Sequence, residues 1–252
     1  MSAVHALAFG DAQLWGAVWA KALPGPARLA VGSAGSAHVL EVELGEAGET
    51  WRLEGETASL VLVAEDTPTP ASTALGELRS ADRLCSVSGT LRLDDDAERI
   101  EARGWRSRLE SSRWGGEIDS VRQLAGWFAP AQGFAVAALR PRRARGQEGD
   151  LLAACLLEDH PGATLTDPRL STTYDREGRP LRAGVEFWLE QEREADADQE
   201  LGAALPRRAI GEASAPGIEW RLDEVQLYAR PFRWYSRGET GNGVYLLGSM
   251  DR

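Results

Sequence analysis

Residues 83–93 read RLCSVSGTLRL, and their alternation decides the fold class. Cys85, Val87, Gly89, Leu91 and Leu93 fall on one face, and Ser86, Ser88, Thr90 and Arg92 on the other. Period two with a single apolar face is the pattern of a half-buried antiparallel strand. Asp94-Asp95-Asp96 then reads as a solvated turn. Its carboxylates are consecutive, whereas a calcium loop spaces its ligands at alternate positions and adds a glycine and a distal glutamate. Arg99–Trp105 returns as the partner strand. Upstream, His38–Leu44 repeats the pattern, with Leu40, Val42 and Leu44 opposed to Glu41 and Glu43. Arg28–Val31, Thr50–Leu53 and Ser59–Val63 are further strands, and Asp66–Ala74, with Pro68 and Pro70, is a loop. Downstream, strands are expected at Gly133–Leu139, Leu181–Leu189, Arg207–Glu212, Ile218–Tyr228 and Gly243–Leu247. Leu14–Ala20 and Leu151–Leu157 (LLAACLL) suit either strand or short helix by periodicity. Gly16 and the Pro24-Gly25-Pro26 turn favour strand for the first. The acidic run Glu190–Glu200 reads as an exposed loop. Short strands between Gly, Pro and Asp turns make an all-β chain, a sandwich or a barrel.

Composition narrows the function classes. The 252 residues carry a net charge of -11, which repels phosphate and argues against nucleic acid or an anionic membrane. The basic loop Arg140–Arg145 (RPRRAR) has no aromatic partners and reads as a hairpin loop. Lys21 is the sole lysine, so a Schiff-base or phosphate-loop lysine is available nowhere else. Cys85 and Cys155 each lie in an apolar run and read as buried thiols rather than a disulfide framework. No apolar run approaches the roughly 18 residues of a membrane span, and no secretory leader is evident, so a cytoplasmic location is expected.

The richest stretch for chemistry is Arg103–Phe128, RGWRSRLESSRWGGEIDSVRQLAGWF. It holds Trp105, Trp114 and Trp127, three of the nine tryptophans, with Gly104, Gly115, Gly116 and Gly126 beside them. Large rings on a flexible backbone, interleaved with charge, suit a pocket mouth or the seam between two sheets. Glu110, Glu117 and Asp119 lie among these rings. A carboxyl pressed against indole loses hydration and can act as a proton donor. Pairing with Arg106, Arg108 and Arg113 is the competing use. His160, in EDHPGATLTD, could serve as a base at a strand end. There is no GxSxG elbow and no CxxC, and the three histidines, His5, His38 and His160, lack metal-ligand spacing; no metal and no cofactor is implied.

Three pieces carry a family resemblance: WRSRLESSRWG at Trp105–Gly115, the pair Trp127-Phe128, and RPFRWYSRGETGNGVYLL at Arg230–Leu247. They resemble the carotenoid 1,2-hydratase (hydroxyneurosporene synthase) and AttH-like group. That resemblance implies two lipocalin-like barrels packed together and an apolar, isoprenoid- or lipid-like ligand. Where the group shows Asp-His before Ser-Trp-Gly, this chain has Ser111-Ser112 before Arg113-Trp114-Gly115. Trp114 and Gly115 carry over; the acid and imidazole proposed to protonate a double bond do not. The expectation is therefore two lipocalin-like halves, 1–103 and 104–252. They would bind a hydrophobic small molecule lined by Trp105, Trp114 and Trp127 and oriented by Arg106 and Arg113. The alternative is a hydratase, isomerase or cyclase using Glu110, Glu117, Asp119 or His160. No oligomeric state is implied.

Overall fold

A computed structural model describes residues 2–33, 35–65, 68–73, 76–94, 96–114, 117–128, 132–144, 149–157, 165–189 and 206–250. His160, Gly115, Gly116 and the acidic run at 190–200 lie outside them. The described residues form eighteen β-strands in two antiparallel sheets.

The first sheet is an up-and-down meander. It comprises β1 (Ser2–Gly10), β2 (Leu14–Ala20), β3 (Gly25–Ser33), β4 (Ser36–Ala47), β5 (Thr50–Glu54), β6 (Ala58–Ala64), β7 (Thr69–Ser72), β8 (Leu78–Leu93) and β9 (Asp96–Ser111). β9 pairs back onto β1 and β8 pairs onto β6, which closes the sheet into a barrel. Closure pairs β6 with β8 and leaves only the short β7 at an edge. The strand β8 is long enough to be shared: Arg79–Asp82 pair with β7, and Cys85–Leu91 pair with β6.

The second sheet repeats the plan. It comprises β10 (Ile118–Phe128), β11 (Gln132–Pro141), β12 (Leu151–Leu157), β13 (Leu165–Tyr174), β14 (Pro180–Leu189), β15 (Arg207–Ala213), β16 (Ile218–Leu222), β17 (Val225–Ser236) and β18 (Glu239–Met250). Again the penultimate strand is shared, β17 pairing with β16 over Val225–Ala229 and with β15 over Phe232–Tyr235. Again the last strand returns to the first, β18 to β10. β12 and β13 lie side by side without a ladder, so this barrel is nearly closed. The expected division at 103/104 falls within β9; the chain passes from one sheet to the other between Ser111 and Ile118.

Three apolar clusters follow from the strand pattern. Inward residues of the first barrel, including Leu7, Phe9, Leu29, Leu44, Leu53, Leu60 and Leu62, fill its lumen. Leu124, Phe134, Phe187, Phe232, Trp234 and Tyr245 fill the second. The third cluster is the seam: outward residues of β1, β2, β8 and β9 meet outward residues of β10, β11, β12, β17 and β18. Strands facing solvent alternate, as β4 and β5 do, whereas β2, β10 and β11 are buried almost throughout. Strands covered on both faces must be apolar on both. Leu151–Leu157, ambiguous in the sequence, is such a strand.

Candidate functional site

The tryptophan-rich stretch builds the seam. Trp105 is 1 % exposed and Trp127 is 5 % exposed; both belong, with Trp15, Trp19 and Trp220, to the apolar cluster between the barrels, and Trp114 lies half-buried against it. Alanines at 6, 8, 17, 30, 125, 135, 137, 153 and 229 let the two sheets approach around the rings. The glycines beside the rings make room rather than slack. A Cβ on Gly104 would stand 2.3 Å from the Ala8 carbonyl oxygen, and one on Gly126 2.6 Å from the Phe134 ring.

At the centre of the seam sits a carboxyl that linear inspection of the stretch passes over. Asp82, on β8, is 3 % exposed. Its Oδ1 accepts the Trp105 indole N–H at 2.9 Å, and its Oδ2 accepts the Ser80 hydroxyl at 2.6 Å. The Cys155 thiol of the second barrel donates to Oδ2 at 3.7 Å. Burial pushes the Asp82 pKa up, while the hydrogen bonds from Ser80, Ser107, Trp105 and Cys155 pull the other way. Desolvation of a carboxylate outweighs these donors, so the acid form is favoured.

Two of the carboxyls expected from the sequence face arginines. Glu110 is bonded to Arg108 at 2.8 Å. Glu117 is largely exposed and 3.9 Å from Arg113, which itself holds Glu77 with Nε at 2.9 Å. Asp119 is half-buried at the start of β10. None of the three borders a cavity described below. Arg106 points into the first barrel, away from the seam, and lies over the Trp51 ring at 5.1 Å. The basic loop is tied down in part: Arg140 Nε donates to Asp150 at 3.0 Å and Arg142 Nε to the Ile118 carbonyl at 3.2 Å.

Two cavities lie at one end of the molecule. A cleft of about 440 Å³ separates the barrels, with Gly10, Leu14, Ile100 and Arg103 on one wall and Trp127, Phe128 and Asn242 on the other. Arg103 bridges the walls, its Nη1 donating to the Phe128 carbonyl at 3.2 Å. The mouth of the second barrel holds a further volume of about 250 Å³, ringed by Phe128, Phe134, Leu156 and Phe187 under Arg207, Arg237 and Glu239. Phe128 borders both. Deeper in the second barrel the lining turns polar. Arg122 is 2 % exposed and paired with the buried Asp150, while the Tyr245 hydroxyl lies 3.0 Å from Thr172 and 3.3 Å from Tyr174. Burial, and then Tyr174, push the Tyr245 phenol well above the usual range. An outer groove of about 550 Å³ on β13–β15 is bordered by Arg169, Arg182, Arg208 and Ile210.

Comparison with solved structures fits this arrangement. The fold is that of known tandem-barrel proteins. A crystal structure of a protein provisionally assigned as AttH, from Nitrosomonas europaea, matches with a TM-score of 0.65 and 9 % identity, covering 100 % of this chain and 94 % of that one. Kievitone hydratase from Nectria haematococca matches with a TM-score of 0.57 and 7 % identity, covering 99 % and 89 %. At such identities the likeness is one of fold: two lipocalin-like barrels in tandem. No family model and no curated protein matches the sequence. No helix among the described residues is long and apolar enough to cross a membrane.

Proposed function

We propose that this protein binds a small hydrophobic molecule, isoprenoid- or lipid-like, where the two barrels open together. The observation that carries the reading is the meeting of the inter-barrel cleft and the second barrel's aromatic mouth at Phe128. Rings cover an apolar body, and the rim of Arg103, Arg207, Arg237 and Glu239 would orient a polar end. Trp127, of the residues expected from the sequence, borders this site. Trp105 and Trp114 would act through the seam that fixes its walls, and Arg113 through its hold on Glu77. The resemblance to the carotenoid hydratase and AttH-like group supports the same ligand class. The buried thiols of Cys85 and Cys155 suit a cytoplasmic setting.

A second reading is catalytic: hydration, isomerisation or cyclisation of such a ligand by acid–base chemistry. One solved relative in fold is by name a hydratase. Glu110, Glu117, Asp119 and His160 remain the proton donors that the sequence suggests. Asp82 adds a carboxyl held against an indole, where burial raises its pKa as a general acid requires.

Tryptophan fluorescence tests binding. All-trans-retinol or cis-parinaric acid should quench it with micromolar affinity. Phe128→Ala should weaken the complex roughly tenfold or more, the loss expected when a buried Phe worth about 1.5–3 kcal/mol is truncated. Absence of binding by any apolar probe at micromolar concentration removes the proposal.

A further inference from the structure

The far end of the first barrel is built differently from the end that holds the cleft. Along β1 the inward positions are Phe9, Leu7 and His5, so His5 lies ~13 Å from Phe9 at the usual rise per residue. Around His5 the lumen is lined by charge. Arg106 and Arg83 are register partners on adjacent strands, and both point inward. Their side chains are 6 % and 11 % exposed. Two guanidinium groups set directly opposite one another repel, and burial sharpens that repulsion.

A carboxylate holds them together. Glu49, at the tip of the β4–β5 hairpin, pairs with Arg83 and lies 3.6 Å from Arg106 Nη2 through the same Oε2. Yet the Glu49 side chain is 69 % exposed and is reached from solvent. Trp51 forms one wall: it lies under Arg106, its indole N–H donates to Glu46 at 3.0 Å, and it meets the His5 ring edge-on at 5.8 Å. His5 is 7 % exposed, and its Nδ1 has no hydrogen-bond partner; nor has the buried Nε of Arg83. Burial, and then Arg108, push the His5 imidazole below the usual histidine range.

We propose that Arg83, Arg106 and His5 form a binding site for the carboxylate of a small organic acid, with Glu49 as a built-in occupant that an incoming carboxylate displaces. The geometry favours a monoanion. Glu49 already presents one carboxylate oxygen to both arginines, and a ligand carboxylate replaces it charge for charge. Glu46 and Glu110 nearby oppose a dianion such as phosphate. Arginine forks match a planar carboxylate, and His5 Nδ1 and Arg83 Nε remain for its second oxygen. The site stands apart from the apolar cleft and does not depend on it.

The test is an NMR titration of the full chain with sodium acetate, following the Trp51 indole N–H, assigned through Trp51→Phe. Acetamide serves as the neutral isostere and inorganic phosphate as the dianion. Acetate should shift the Trp51 signal and acetamide should not. Glu49→Ala should tighten acetate about tenfold, the gain expected when an occupant that fills the site ~90 % of the time is removed. Arg83→Gln in the Glu49→Ala background should abolish the shift while circular dichroism shows the barrel intact. The proposal falls if acetate leaves Trp51 unmoved in both wild type and Glu49→Ala. It also falls if acetate, phosphate and acetamide act alike, or if a folded Arg83→Gln variant still binds.

Discussion

At the scale of single residues, Asp82 is the group with the clearest measurable consequence. Its folded pKa is raised by burial, whereas the unfolded value is about 3.9. Between the two, the native chain keeps a proton that the unfolded chain has lost. Stability contributed by this group is therefore complete below the unfolded value and declines as pH rises toward the folded one. Asp82→Asn cannot ionise. Near about pH 4 it should cost about 1 kcal/mol, for one hydrogen-bond acceptor exchanged for a donor. Toward higher pH the gap should close or reverse. Urea denaturation of both proteins across that range measures it, and a difference independent of pH would show that Asp82 is ionised in the fold. The sequence pointed to Trp105 and to carboxyls beside it along the chain; the carboxyl bonded to its indole lies on the opposite strand of the β8–β9 hairpin. Glu110, Glu117 and Asp119 are near Trp105 in number; Asp82 is near it in register. The pairing that starts at Leu93 with Asp96 runs without a slip to Asp82 with Ser107. Counting back from the aspartate turn was the signal that would have found it.

At the scale of elements, alternation was the legible feature. It located β4, β5, β6 and the Arg83–Leu93 part of β8, with Arg99–Trp105 of β9 as the returning strand. Elsewhere the pattern failed for identifiable reasons. Thr69–Ser72, expected in a loop, is the short strand β7, which pairs only with the start of β8; a proline is tolerated on such an edge. Ile218–Tyr228, expected as one strand, is two, folded at Asp223, whose φ of 53° is a turn conformation. Leu165–Tyr174, which drew no expectation, is β13. The glycines of β15, β10 and β18 also have a specific use: Trp234 lies against Gly211, Gly126 and Gly243. A Cβ on Gly243 would stand 2.1 Å from the Ala125 carbonyl oxygen and 2.5 Å from Trp234 Nε1. Backbone and a fully buried ring cannot both give way. Gly243→Ala should therefore cost about 1–3 kcal/mol, as overpacking does. Gly45→Ala, with nothing within 4 Å, should change stability by less than about 0.5 kcal/mol. Equal effects of the two on the urea midpoint would sink this account of the glycines.

At the scale of the molecule, the chain is a nine-strand plan used twice, although no repeat is visible in the sequence. The likeness is carried by connectivity, a penultimate strand shared between two partners and a last strand returning to the first, and connectivity leaves no residue signature. What the sequence did contain was the seam, written as strands apolar on both faces. That seam has a thermodynamic consequence. Each barrel contributes an apolar outer wall that water would meet if its neighbour unfolded, and Trp105 stands in the middle of it with Asp82 bonded to its indole. Burial of that kind couples the halves, unlike the small polar contacts that leave domains free to melt separately. Heating should give one calorimetric transition whose calorimetric and van't Hoff enthalpies agree. Trp105→Ala opens a cavity in the shared wall and removes the donor to Asp82, so it should lower stability by about 3–5 kcal/mol. It should move the whole transition down as one peak, because neither barrel keeps its covered face alone. Two separate peaks in the wild type, or a variant in which only one half of the unfolding enthalpy shifts, would mean that the barrels fold independently and that the indoles between them merely touch.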